Sequence, residues 1–285
     1  MSEQINYQNL AVTANNIRQE VIKMLLAAKS GHSAGSLGMA DVFTALYFNL
    51  LKVDPKKPHW SERDRLVLSN AHICPVLYAT LAERGFFSKK ELVTLRKLGS
   101  RLQGHSTFNH GLPGIETSGG PLGQGLSQAI GLALARQLDK QDYWVYCLMS
   151  DGELDEGQSW EAIMFAAKHK LTHLTAIVDR NNIQIGGPTE QVMPLEPLAD
   201  KWRAFGWQVI EIDGNNLGKI IEAGQQAKVN LKQPTVILAK TIPGKGVSFM
   251  ENNYQWHGKA PNEVEAKKAL AELQILGKQL AGKFL

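Results

Sequence analysis

Two uncharged runs joined by a single helical segment constrain this chain more than anything else in it. Tyr143 to Met149 (YWVYCLM) is aromatic and β-branched, and Leu174 to Val178 (LTAIV) is uncharged and mostly aliphatic. Both read as buried strands. Between them, Glu153 to Gly157 is a polar loop. Ser159 to Lys168 has helical composition, with Trp160, Ile163, Met164 and Ala167 spaced to share one face. A strand, a helix and a strand of this length form a βαβ unit, so the two strands run parallel. Asp151 then falls just past the carboxyl end of the first strand, and Asn181 just past the end of the second. Ligands of open α/β sheets bind at that edge.

A carboxylate, an amide oxygen and a loop carbonyl make a hard, all-oxygen donor set. Such a set suits Mg²⁺ or Ca²⁺, with water or phosphate oxygens in the remaining positions. A helix N-terminus beside Asp151 favours an anion. The chemistry implied is a divalent metal clamping a diphosphate. Asp151-Gly152 is also an ordinary turn pair and Asn181-Asn182 an ordinary polar loop. Spacing alone does not separate the two readings.

The rest of the chain supplies a sheet to carry such a site. The spacing predicts helices over Leu10–Lys29, with Gly31 as its cap, and over Met39–Leu51, with a small-residue loop, Ser33 to Gly38, between them. Arg65–Leu68 is a short strand, and His72 follows at its carboxyl end. Further helices are predicted over Pro75–Arg84, from Ser88 to Leu95, and over Leu126–Leu138, Pro197–Phe205 and Leu217–Lys228. Strands are predicted over Trp207–Ile212 and Thr235–Ala239, and Asn262 is placed to cap a last helix to about Leu276. The result is an α/β fold: a parallel sheet of about five strands with helices on both faces. It is expected to be one domain over residues 1–285, with 259–285 as a C-terminal helical extension.

The glycine-rich stretch from Gly99 to Gly125 is the longest without regular structure, and long loops in compact domains are usually functional. It ends in Gly119-Gly-Pro-Leu-Gly-Gln-Gly125, where a ligand can approach the backbone closely. The pattern is neither a Walker loop nor a dinucleotide fingerprint. Four histidines, His32, His72, His105 and His257, stand in loops. Singly each is an ordinary loop residue; several beside an anion site point to proton transfer and hydrogen bonding to a polar substrate.

Composition narrows the class. With 285 residues, 44% hydrophobic, the chain can bury a large core. A formal charge of +4 without any Lys/Arg block tolerates phosphorylated ligands but does not predict nucleic-acid binding. No apolar run reaches membrane-spanning length. Cys74 and Cys147 lie in apolar surroundings and fit a reducing compartment, and the polar N-terminus does not read as a signal peptide. A cytoplasmic protein is expected.

Taken together, these motifs resemble the N-terminal, diphosphate-binding part of transketolase, a thiamine diphosphate enzyme family. Ser150-Asp151-Gly152 with Asn181 is similar to that family's G-D-G…N motif. The resemblance implies that Asp151, Asn181 and the Ile183 carbonyl hold Mg²⁺ (Ca²⁺ being the alternative), with the backbone of Gly152 and Glu153 near the diphosphate. Ser30-Gly31-His32, Ser69-Asn70-Ala71-His72, Gly104-His105 and Trp256-His257-Gly258 resemble the segments that carry the family's active-site histidines. Gly120-Pro121-Leu122-Gly123 resembles the segment whose main chain touches the aminopyrimidine ring, so Gly120, Pro121 and Leu122, like His72 and His257, are implied cofactor contacts. Glu156 matches a carboxylate at the subunit interface of relatives.

There are departures. Ser150 replaces a Gly, Ala71 replaces a Gly, and Ser33 replaces a common Pro. Pro243 stands where some relatives carry a Lys, with Lys245 nearby as a candidate substitute. The largest departure is length. The family's glutamate that activates the aminopyrimidine lies in a part this chain lacks. The resemblance therefore implies the smaller subunit of a split transketolase. Its partner is a C-terminal subunit with pyrimidine-binding and third domains, in a hetero-oligomer of two copies each. That enzyme moves a two-carbon ketol unit from a ketose phosphate to an aldose phosphate, in pentose phosphate metabolism. The alternatives are the same two-chain architecture acting on a modified or sulfonated sugar, a non-catalytic scaffold subunit, and a fragment or solitary regulatory relative. A scaffold would need neither Asp151, Asn181 nor the four histidines.

Overall fold

The computed structural model describes residues 5–282. In chain order its elements are helices α1 (Tyr7–Ala28), α2 (Ala34–Gly38) and α3 (Ala40–Ala45), strand β1 (Arg65–Leu68), α4 (Cys74–Arg84), α5 (Gly125–Leu138), β2 (Val145–Ser150) and α6 (Gly157–Lys168). There follow β3 (Leu174–Arg180), β4 (Ile183–Gln184), β5 (Gly187–Pro188), α7 (Thr189–Val192), α8 (Leu198–Ala204), β6 (Gln208–Asp213), α9 (Leu217–Val229), β7 (Thr235–Lys240) and α10 (Glu263–Leu280). Five strands form one sheet in the order β1-β2-β3-β7-β6, every pair parallel. The expected fold class is therefore the observed one. A small antiparallel ribbon, β4 with β5, stands beside the sheet.

Successive residues of the central strands point into opposite layers. Tyr146, Leu148, Ile177 and Ile237 join the apolar cluster of α1, α3, α4 and α9. Val145, Cys147, Met149, Val178 and Val236 join the cluster of α5, α6 and α8, which is anchored by the buried Trp202 and Trp207. Burial on both faces is why these strands read as continuous apolar runs. Both cysteines are buried and free.

Several boundaries differ from expectation for local reasons. Strand β2 begins at Val145 rather than Tyr143, because the Trp144 N–H goes to Asp64 at 2.8 Å. The segment expected as a loop, Ser33 to Gly38, contains α2. Gly38 packs so tightly on the backbone at Ile242 that a Cβ would lie 2.9 Å from that carbonyl. The helix expected over Met39–Leu51 is α3 followed by a π-helical turn, Leu46–Leu50. Helix α1 ends at Lys29, whose left-handed backbone (φ 53°) replaces the cap expected at Gly31. On α6 the buried stripe is Ser159, Ala162, Ile163 and Ala166, leaving Met164 exposed. The terminal helix α10 runs to Leu280 and opens with a capping box between Asn262 and Glu265. It is docked on α1: Asn15 donates to the Leu273 carbonyl at 2.8 Å, and Ala266, Ala269 and Leu273 are buried.

Candidate active site

Because all five strands are parallel, the segments leaving β1, β2, β3 and β7 open onto one edge. A cleft of about 320 Å³ lies there, lined by His32, His72, His105 and His257, by Gly120, Leu122, Ser150 and Gly152, and by Asn181 through Gly186 without Asn182. Three of the imidazoles form a triangle. Ring centroids lie 4.9 Å apart for His32 and His72, 5.2 Å for His72 and His257, and 5.7 Å for His32 and His257. His105 stands against Gly120 on the more exposed side.

Burial and mutual proximity keep these rings uncharged. Burial first, then the neighbouring His257, Arg96 and His105, lowers the His32 pKa to about 4. Burial, followed by the other three histidines, lowers His72 to about 3. His105 and His257 are lowered as well, chiefly by burial. At neutral pH each ring is thus one N–H donor and one acceptor. Among the described residues the buried Nδ1 of His32 has no hydrogen-bond partner. Ser33 ties two of the histidine segments together, its hydroxyl donating to the Lys259 carbonyl at 2.5 Å. Trp256 anchors the second segment, packed edge-on against Phe249 with its ring centroid 5.4 Å away and Lys259 over its face.

At the other end of the cleft the oxygens of one carboxylate are used differently. Asp151 Oδ2 accepts from Arg180 at 3.0 Å, from the Asn182 N–H at 2.8 Å and from the Thr189 hydroxyl at 3.3 Å. Among the described residues its Oδ1 accepts only from the adjacent Gly152 N–H, at 2.8 Å. Burial pushes the Asp151 carboxyl up, and Arg180 with the two main-chain N–H groups pulls it back. Asn181 donates its amide N–H to Asp179 at 2.8 Å, which fixes its oxygen toward the Ile183 N–H at 3.0 Å and the cleft. Asn182, left-handed at φ 60°, kinks the chain between Asn181 and Ile183. Ile183 pairs with Pro188, which has no N–H to offer its carbonyl. Asp151 Oδ1 and the Asn181 oxygen thus carry one hydrogen bond each and keep spare lone pairs, and Ile183 follows on the same loop. Among the described residues no group of three His, Cys, Asp or Glu could hold a metal. A metal here would be a hard one, with ligands completed by an anion or water.

The relatives of this chain decide what kind of protein carries this arrangement. Residues 10–279 match the family model described as the transketolase thiamine diphosphate binding domain. The chain belongs to the transketolase family. It is 47% identical over 278 residues to the 6-deoxy-6-sulfo-D-fructose transketolase subunit SqwG of Clostridium sp. strain MSTE9, covering 97% of this chain and 100% of that one. It is 41% identical to one of the apulose-4-phosphate transketolase subunits of Phocaeicola vulgatus, covering 93% of this chain and 94% of that one. The solved transketolase of Leishmania mexicana superposes with a TM-score of 0.85 at 29% identity, covering 96% of this chain but 45% of that one. The chain thus spans the whole of the subunit-type transketolases and about half of the undivided one.

Set against the transketolase resemblance, the cleft gathers most of the implied residues. The four histidines, Gly120, Leu122, Gly152, Asn181 and Ile183 all line it. Asp151 lies fully buried in the wall behind. Three implied residues stand elsewhere. Pro121 is exposed and outside the lining, and Glu156 is an exposed residue at the start of α6. Glu153 is buried and turned away. Its carboxylate accepts from the Ser69 hydroxyl, from the Gly123 N–H at 2.6 Å and from the Ser150 N–H at 3.2 Å. It welds the β1, β2 and glycine-loop segments together. Lys245 does not reach the cleft; its ammonium lies 4.0 Å from Glu251. The Ala71 methyl crowds against Gly119, a position with no room for a Cβ.

Sequence reasoning missed the supports: Asp179, Arg180 and Thr241. Arg180 also pairs with Glu190 at 2.5 Å and Glu196 at 3.0 Å, and the Thr241 hydroxyl donates to Asp179. The signal was present. An Asp-Arg pair closing an otherwise apolar buried strand must find partners, since buried charges are rarely left alone.

Proposed function

We propose that this chain is the N-terminal, cofactor-anchoring subunit of a two-chain transketolase, working with Mg²⁺ and thiamine diphosphate. The observation that carries this is the divided Asp151 carboxylate. One oxygen is saturated by Arg180, Asn182 and Thr189, and the other accepts from the Gly152 N–H alone among the described residues, at the sheet edge that also carries Asn181 and three clustered imidazoles. Asp151, Asn181 and the Ile183 carbonyl would hold the metal, with Gly152 in the cleft wall where the diphosphate would lie. Thiamine diphosphate, when bound, supplies the carbon centre that cleaves a ketose and passes its two-carbon unit to an aldose. The chain's own part is to bind and orient. Its neutral His32, His72 and His257 offer N–H groups and lone pairs to sugar hydroxyls, and His105 does so from the rim. Relatives of this length are named as subunits, which supports a partner chain, read here as the C-terminal subunit in a hetero-oligomer of two copies each. We read the chain as one diphosphate-binding domain of a cytoplasmic enzyme; among the described residues no helix is long and apolar enough to cross a membrane.

The substrate is read as a ketose phosphate of central sugar metabolism. A second reading, a modified or sulfonated ketose, is favoured by the two relatives named for 6-deoxy-6-sulfo-D-fructose and apulose 4-phosphate. The test is ketol transfer from xylulose 5-phosphate or 6-deoxy-6-sulfofructose to an aldose phosphate. It is run with the chain alone and with its co-purifying partner, with and without Mg²⁺ and thiamine diphosphate. Activity confined to the mixture supports a site shared between subunits. Activity of the chain alone overturns it, and the donor that turns over separates the two substrates.

A further inference from the structure

Arg96 has no place in the roles assigned so far, yet it touches two of the four histidine segments. It follows the 3₁₀ turn Lys89–Thr94 and takes a left-handed backbone conformation (φ 60°), which an arginine seldom adopts. Its Nη1 donates to the Ser30 hydroxyl at 2.7 Å, two residues before His32. Its Nη2 donates to the Gly104 carbonyl at 3.4 Å, immediately before His105. The guanidinium fills the space a Cβ on Gly104 would need, with Nε only 2.9 Å away. Beneath the same carbonyl lies α4: Cys74 Sγ donates to it at 3.2 Å, and the Tyr78 hydroxyl donates to the Gln103 carbonyl at 3.0 Å. The backbone before His105 is thus held from below by α4 and from above by Arg96.

We propose that Arg96 is a positioning residue that clasps the His32 segment to the His105 segment and sets the spacing of those two rings across the cleft. The proposal rests on reading the cleft as the ketol-transfer site. A guanidinium presents its donors in a rigid planar fork and can hold two oxygens at once. A lysine ammonium on a flexible stem carries the same charge without that fork. The charge has a second effect. His32 faces Arg96, His72, His105 and His257, and His105 faces Arg96, so a fixed cation discourages protonation of both rings. Each ring keeps the lone pair it needs to accept from a sugar hydroxyl.

The test compares wild type, Arg96→Lys and Arg96→Gln. Histidine-labelled NMR titrations are run on the chain itself, and steady-state ketol transfer is measured with the partner subunit, Mg²⁺ and thiamine diphosphate. Arg96→Gln is expected to raise the pKa of His32 and His105, to move the acid limb of kcat to higher pH, and to lower kcat about tenfold with a smaller change in KM. Arg96→Lys is expected to keep the acid limb and still lose kcat. Unchanged histidine titrations in Arg96→Gln, or wild-type kcat in Arg96→Lys, overturn the clasp. If the wild-type complex transfers no ketol unit, the functional reading fails, while the titrations still decide the role of Arg96.

Discussion

Asp179 accepts the amide N–H of Asn181 at 2.8 Å, and through that one bond decides which end of the amide faces the cleft. Asp179 is itself fully buried and takes the Thr241 hydroxyl on its other oxygen. Burial pushes its pKa up to about 7, opposed by the Thr241 and Asn181 hydrogen bonds. On the proposed reading of Asn181 as a metal ligand, the pair is a carboxylate orienting a ligand side chain, an arrangement whose loss typically costs about ten- to a hundredfold in metal affinity.

Asp179→Leu is therefore expected to weaken Mg²⁺-dependent thiamine diphosphate binding by about ten- to a hundredfold, read by calorimetry on the chain. Asp151→Ala should abolish the Mg²⁺ dependence altogether. Retained Mg²⁺-dependent binding in Asp151→Ala removes the basis for the metal corner.

Glu153 is predicted to matter for folding before it matters for chemistry. Replacing it by alanine strands the Ser69 hydroxyl and the Gly123 and Ser150 N–H groups in a buried place. The expected cost is about 3–5 kcal/mol, from about 1–3 kcal/mol for each unsatisfied group with partial relaxation. Urea denaturation of the chain measures it. A loss below about 1 kcal/mol contradicts the role.

Two glycines of the same helix should respond in opposite senses. Gly125 lies at the start of α5 against Ser69, with no room for a Cβ, whereas Gly131 faces open space. Gly125→Ala is expected to destabilise the chain. Gly131→Ala should stabilise it by up to about 1 kcal/mol, the helix-propensity difference. Thermal denaturation of the two variants is a sufficient comparison.

The histidine triangle gives the chain an acid sensitivity. His32 and His72 have folded pKa values of about 4 and about 3 against an ordinary 6.5, so below pH 6.5 the unfolded chain binds more protons. Their contribution to stability is complete above pH 6.5 and falls away as pH drops toward those folded values. A Tm that declines steadily from pH 7 to pH 5 is expected. The decline should be shallower in His72→Gln, where one of the suppressed protonations is gone.

The layered sheet was legible because its strands are buried on both faces and carry almost no polar residues. The edge holding His72, Asp151 and Asn181 followed from strand direction alone. The histidines were legible as loop residues, but not as a triangle, since nothing in the spacing of residues 32, 72 and 257 says how three loops fold over one another. The bracing done by the Glu153 side chain was not legible, because its partners Ser69 and Gly123 come from distant stretches of the chain. Arg180 was overlooked because its partners Glu190 and Glu196 sit on a segment whose path the sequence does not announce.

Arg180 also leaves an imbalance. One guanidinium faces Asp151, Glu190 and Glu196, so the corner carries more negative charge than positive before Asp179 is counted. A divalent cation held by Asp151 as proposed would relieve that repulsion, and anything that binds only the folded chain stabilises it by mass action. On the proposed reading, the supply of vitamin-derived cofactor would then govern how long the chain survives heat and proteases, quite apart from how fast it turns over sugar.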